Sequence, residues 1–190
     1  MNLQRINVKL FVDSPDVVPV DSFLPIFARW RKDQSHPSGW VDMADYAHVT
    51  RGPGIMMIGQ QGNLSLDCTD PGPGILYANK KDLDGDDRTR ILDSFRRALA
   101  LARTLIDESG YPDALAPRPG VWQLTFNDRL ETPNNEQTDQ ALRPAVDAAL
   151  DRMFGQGDYT VVPEKDSLRR YGFLIQSDKI VSLDAISSNL

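Results

Sequence analysis

Asp42, Asp45, Tyr46, His48 and Arg51 fall within ten residues of the segment WVDMADYAHVTRGPGIMMI (40–58), just before the turn Gly52-Pro53-Gly54. A histidine beside a carboxylate is the usual pair for proton transfer, because the carboxylate orients the ring and raises its basicity. A nearby arginine grips an anionic group through two parallel hydrogen bonds. The candidate catalytic group is therefore His48 as general base, Asp42 as its orienter and Arg51 as an anion clamp. If 40–49 is extended, Asp42, Tyr46 and His48 point one way and Asp45 the other, and Trp40, Tyr46 and Arg51 rim a ligand cleft beside the turns. If 40–49 is a helical turn, Asp42 and Asp45 become neighbours and that cleft has no basis. The extended form is expected. The competing account is structural: His48 bonds a backbone carbonyl and Arg51 pairs with an exposed acid, as most such groups do.

The other chemical motifs are incomplete. Asp42-x-x-Asp45-x-x-His48 is not a recurring metal-ligand spacing, and His36 is the only other histidine. Two histidines and one cysteine leave little for zinc, so no metal and no cofactor are expected. Asp82-Leu83-Asp84-Gly85-Asp86-Asp87 alternates carboxylates as calcium loops do, with Asp93 at the twelfth position. Asp87, however, stands where the sharp turn needs glycine. An acidic loop feeding a helix N-terminus is the simpler reading. The Gly-Pro-Gly repeats at 52–54 and 72–74 lack the backbone donors of a phosphate cradle and read as turns. Cys68, in a strand with no histidine beside it in the sequence, reads as an inert thiol.

These residues need a scaffold, and the hydrophobic pattern describes one. RINVKLFV (5–12) sets Ile6, Val8, Leu10 and Val12 against Arg5, Asn7, Lys9 and Phe11, a half-buried strand. Phe23, Phe27 and Trp30 share a helical face. IMMIG, LSLDC and ILYANKK are strands separated by turns at Gly62-Asn63 and 70–74. A helix over about 87–109 carries the stripe Ile91, Phe95, Ala98, Leu99, Ala102 and Leu105. Residues 111–120, with three prolines, mark the candidate lobe boundary within a single 1–190 domain. VWQLTFN sets Trp122, Leu124 and Phe126 against Val121, Gln123 and Thr125, and a helix over roughly 134–154 contains Pro144. Two strands close the chain, and 183–190 are expected to be loose. The order β-α-β-β-β-β-α then β-α-β-β predicts an α+β fold. It is a twisted, mainly antiparallel sheet with about three helices on one face, built from duplicated β-α-β-β units.

Composition narrows the function classes. The chain is 41% hydrophobic and 25% charged, ordinary for a folded domain. A net charge of -6 disfavours nucleic acid. No run approaches the roughly 18 apolar residues of a spanning helix, so no membrane is expected. A lone cysteine and a polar N-terminus point to the cytoplasm.

VDMADYAHVTRGPGIMMIG, followed by NLSLD and PGILYANKKD (within 41–81), resembles segments of uncharacterised bacterial proteins, with a weaker echo in VKLFVDSPDVV. The resemblance implies a bacterial cytoplasmic protein and assigns no residue a role. Three functions remain open: a non-catalytic module binding a small molecule or a protein partner, a small enzyme using Asp42, His48 and Arg51, and a homodimer joined through a sheet edge.

Overall fold

Strand β1 (Ile6–Val12) is buried along its whole length, on both faces. Its apolar residues Ile6, Val8, Leu10 and Val12 face the core, as the alternation predicts. The computed structural model describes residues 2–33, 39–180 and 182–190. After β1 come a 3-10 turn (Val20–Ser22), α1 (Phe23–Asp33), β2 (Trp40–Tyr46), β3 (Gly54–Gly59), β4 (Gly62–Asp67), β5 (Gly74–Asn79) and α2 (Asp87–Ile106). A second 3-10 turn (Asp113–Leu115), β6 (Pro117–Phe126), α3 (Glu136–Phe154), β7 (Thr160–Pro163), β8 (Gly172–Gln176) and α4 (Leu183–Asn189) complete the chain.

The eight strands form one open sheet in the order β2-β3-β4-β5-β1-β6-β8-β7. Every neighbouring pair is antiparallel. The α+β class and antiparallel sheet are thus as the sequence predicts. Each half runs from a central strand through a helix to an outer edge, then returns as a meander to pair with that strand. The meander has four strands in the first half and two in the second. The central strands β1 and β6 pair with each other, so the sheet crosses the 111–120 connector without a break.

Helices pack on one face. Helix α2 lies on β1 and β5 and contacts α3, while α1 covers β2 and β3. Helix α2 is capped by Asp86, which accepts from the Thr89 N–H at 2.8 Å, and α3 by Asn135, which accepts from Thr138 at 2.9 Å. Helix α3 runs through Pro144. Phe95 meets Trp122 edge-on at 5.5 Å, joining α2 to β6. The Arg143 guanidinium sits 4.6 Å from the Phe173 ring, and the Tyr171 hydroxyl donates to Asp139, so α3 covers β8. No described helix is long and apolar enough to cross a membrane.

Several local expectations change. Gly62-Asn63, expected as a turn, opens β4, Cys68 lies just past the end of that strand, and β1, expected to be half-buried, is covered on both faces. Residues 183–190 are not loose: α4 packs on α2 and α3, with Ile186 fully buried, Ser182 accepting from the Ala185 N–H and Asn189 donating to the Met153 carbonyl. The strand expected over 40–49 stops at Tyr46, because the Asp45 carboxylate accepts from the Ala47 N–H at 2.8 Å and turns the chain.

Gly54 starts β3 with φ of +61°, and a β-carbon there would lie 2.1 Å from the Leu66 carbonyl oxygen. Only glycine lets β3 approach β4 this closely.

Candidate functional site

The face of the sheet opposite the helices is where the strand registers bring polar residues together. Asn7 of β1 pairs with Thr125 of β6 on one side and Ala78 of β5 on the other, and Lys9 pairs with Gln123 and Leu76. Asp67 of β4 lies across from Gly74, which pairs with Phe11. Asn7, Lys9 and Asp67 are all buried. Buried polar groups are normally hydrogen-bonded, so each needs a partner.

Lys9 and Asp67 satisfy each other. The Lys9 ammonium donates to Asp67 at 2.6 Å and to the Thr69 carbonyl at 3.0 Å, and the Thr69 hydroxyl donates to the same Asp67 oxygen at 2.6 Å. The Lys9 nitrogen also sits 5.2 Å from the Phe11 ring centre. Burial pulls the Lys9 pKa below its ordinary value, and the attraction of Asp67 opposes this. Next to the pair, burial and the Asp67 carboxylate push the half-buried Cys68 thiol up, away from the reactive thiolate.

Asn7 is different. It is 9% exposed, and its Oδ1 is buried without a hydrogen-bond partner among the described residues. It lines a cleft of about 800 Å³ on the open face. The floor of this cleft includes Asp67, Leu76, Asn7, Gln123, Thr125 and Leu174. One wall is the β7–β8 connection (164–171), the other the β4–β5 turn with Thr69, Asp70 and Pro71. Strands β4 and β8 stand four places apart in the sheet, about 19 Å at normal spacing. Arg169 nevertheless approaches Asp70 within 4.0 Å, so the β7–β8 connection reaches across the open face. Asn134 steadies it by donating to the carbonyls of Glu164 and Asp166.

The residues around the cleft are unbalanced in charge. Arg51, Arg129, Lys165, Arg169 and Arg170 stand against Asp67, Asp70 and Glu164. Arg51 pairs with Asp70 at 3.5 Å, and Arg169 lies within 4.0 Å of Asp70, Glu164 and Asp166. Arg129, Lys165 and Arg170 make no ion pair with described residues. A second hollow, of about 600 Å³ between α2 and α4, is also lined by arginines. Those are occupied by the protein itself: Arg96 bonds Asp93 and the Leu190 carbonyl, and Arg103 bonds Asp184.

The residues singled out in the sequence do not gather into one site. Trp40 is 1% exposed and stacks on Trp30 of α1 at 6.1 Å, on the helix side of the sheet. A bulge between Trp40 and Asp42 sends the two side chains to opposite faces. Asp42 and Tyr46 share the open face, as expected of a strand, but on its exposed edge. Asp42 accepts from the Met43 N–H and lies 3.9 Å from Arg31. His48 is exposed in the turn after β2 and has no hydrogen bond to a carboxylate among the described residues. Arg51, with φ of 53°, is the one candidate that lines the cleft. His36 lies outside the described residues. The Asp82–Asp87 loop serves the fold: Asp82 is 3.4 Å from Arg5, Asp86 caps α2, and Asp87 accepts from the Leu3 N–H and pairs with Arg90. Hydrogen bonds from Thr89 hold the Asp86 carboxyl below its usual range. Among the described residues, no three His, Cys, Asp or Glu side chains assemble as a metal site.

Sequence reasoning passed over Asn7, Gln123 and Thr125, together with the cations at 129, 165 and 170. The first three stood on the polar sides of two alternating strands, where solvent is the ordinary neighbour. Comparison with protein families, curated proteins and solved structures finds no match to this chain.

Proposed function

We propose that the protein is a non-catalytic binding module whose small ligand occupies the cleft on the open face, beneath the β7–β8 connection. The observation that carries this reading is the cleft itself, about 800 Å³ on the open face and lined by uncharged polar residues together with Arg129, Lys165 and Arg170, above an Asn7 Oδ1 that has no partner among the described residues. A buried acceptor without a partner costs stability, and a hydrogen bond from outside the chain offsets that cost. The volume suits a small molecule, and floor residues of mixed polarity are normal for such sites. The acid–base reading is weaker, because His48 has no carboxylate to orient it among the described residues and stands in a turn rather than in the cleft.

The test uses Asn7→Leu, which replaces the carboxamide with an apolar side chain of similar size. If Asn7 serves a ligand, the variant is more stable than the parent by about 1–3 kcal/mol, the cost of the unmade hydrogen bond. Urea unfolding of the two proteins measures the difference. A variant less stable than the parent gives Asn7 a structural role and removes the basis of the proposal.

A further inference from the structure

Resting on that reading, we infer that the occupant of the open-face cleft is a small organic anion. Its phosphate or carboxylate is held by Arg129, Lys165 and Arg170, and its uncharged body lies over Asn7, Gln123 and Thr125.

The chain as a whole carries a net charge of -6, yet cations outnumber acids around this cleft. The excess is unchanged when the flanking partners Lys9 and Asp166 are counted. Asp67 is already neutralised by Lys9, and Asp70 is shared between Arg51 and Arg169. No acid among the described residues pairs with Arg129, Lys165 or Arg170. Like charges drawn around one concavity raise a positive local field, which an anion relieves. Guanidinium groups fit phosphate and carboxylate through paired hydrogen bonds.

The floor offers a different chemistry. Asn7, Gln123 and Thr125 are uncharged donors and acceptors, and Leu76 and Leu174 lie among them. An inorganic ion would leave this part unused, which favours an anion attached to a neutral, hydrogen-bonding body. The net negative charge beyond the cleft repels a long polyanion, which favours a small molecule over nucleic acid.

Nuclear magnetic resonance titration tests the charge requirement with two probes, inorganic phosphate and succinate, each at constant ionic strength against chloride. Saturable shifts in the backbone amides of residues 129 and 165–170 are expected with at least one probe. The probe that saturates identifies the anionic group as phosphate or carboxylate. In the Arg129→Gln/Arg170→Gln double variant, binding is expected to be roughly tenfold weaker. Absence of saturation with both probes overturns the inference, as does undiminished binding by the double variant. The Asn7→Leu measurement keeps the two readings apart. A stabilised Asn7→Leu with no anion binding rejects the anion and leaves the ligand cleft standing, whereas a destabilised Asn7→Leu rejects the cleft itself.

Discussion

Replacing Lys9 with methionine removes one half of an ion pair that sits almost wholly out of water. The side chains of Lys9 and Asp67 are 1% and 4% exposed, and their charged atoms are 2.6 Å apart. Methionine keeps most of the apolar stem, so the lost term is electrostatic. Asp67 retains the Thr69 hydroxyl at 2.6 Å but has no cation in its place. Stranding one charge of a buried pair costs about 3–5 kcal/mol. Lys9→Met is therefore expected to lose that amount in urea unfolding followed by far-ultraviolet circular dichroism, with an unchanged denaturant slope.

Asp67→Asn strands the cation instead, and here the protein has an escape. Burial already places the folded pKa of Lys9 below its ordinary 10.5. Without Asp67 it drops further, and the folded chain then binds fewer protons than the unfolded chain over a wider range. Stability relative to the parent therefore rises with pH between the variant's folded pKa and the parent's, and levels off above the parent's, where both folded chains bind fewer protons than the unfolded chain to the same extent. The double variant Lys9→Met/Asp67→Asn buries no charge at this position and is expected to lie within about 1–2 kcal/mol of the parent. Single costs that simply add in the double variant, or a Lys9→Met cost below about 1 kcal/mol, would refute the picture of a desolvated, mutually dependent pair.

Glu108 joins α2 to α1 by accepting from the Trp30 indole and pairing with Arg29 at 2.5 Å, and the Trp30 hydrogen bond above all holds its carboxyl below the usual glutamate range. The advantage of the parent over Glu108→Gln, about 1 kcal/mol, is complete above the ordinary glutamate pKa of 4.5 and fades as pH falls through the lowered folded value. Urea midpoints at a series of acidic pH values measure the gap, and a gap that ignores pH contradicts the assignment. Gly54→Ala forces a positive φ on a residue whose β-carbon would meet the Leu66 carbonyl, costing about 1–3 kcal/mol from backbone strain alone. Gly72→Ala, whose β-carbon meets nothing within 4 Å, is the matched control and should stay within about 0.5 kcal/mol when both variants are unfolded in urea.

Most of the scaffold was readable along the chain. Alternation in 6–12 and 121–126 marks strands because successive side chains of a pleated strand point to opposite faces, although in 6–12 the polar face is covered as well. The spacing from Ile91 to Leu105 marks α2 because its apolar stripe must face a sheet. The short turns between β3, β4 and β5 announced antiparallel pairing. Local pattern misjudged 183–190, where one buried isoleucine and its capping bonds hold a helix that composition alone does not reveal.

The candidate site was legible only as unconnected pieces. Local chemistry pointed to 40–51 because five reactive side chains crowd there, but the Asp45 turn takes His48 and Arg51 off the strand that carries Asp42 and Tyr46, and a one-residue bulge in β2 sends Trp40 to the other face. The cleft is assembled by pairings between residues more than a hundred positions apart, such as Asn7 with Thr125, and by a connection that crosses the sheet to bring Arg169 near Asp70. Hydrophobic period reports which side of a strand a residue occupies. It carries no information on which strand lies alongside or what covers the polar side, since long-range pairing and the path of a loop are chosen by the free energy of the whole fold.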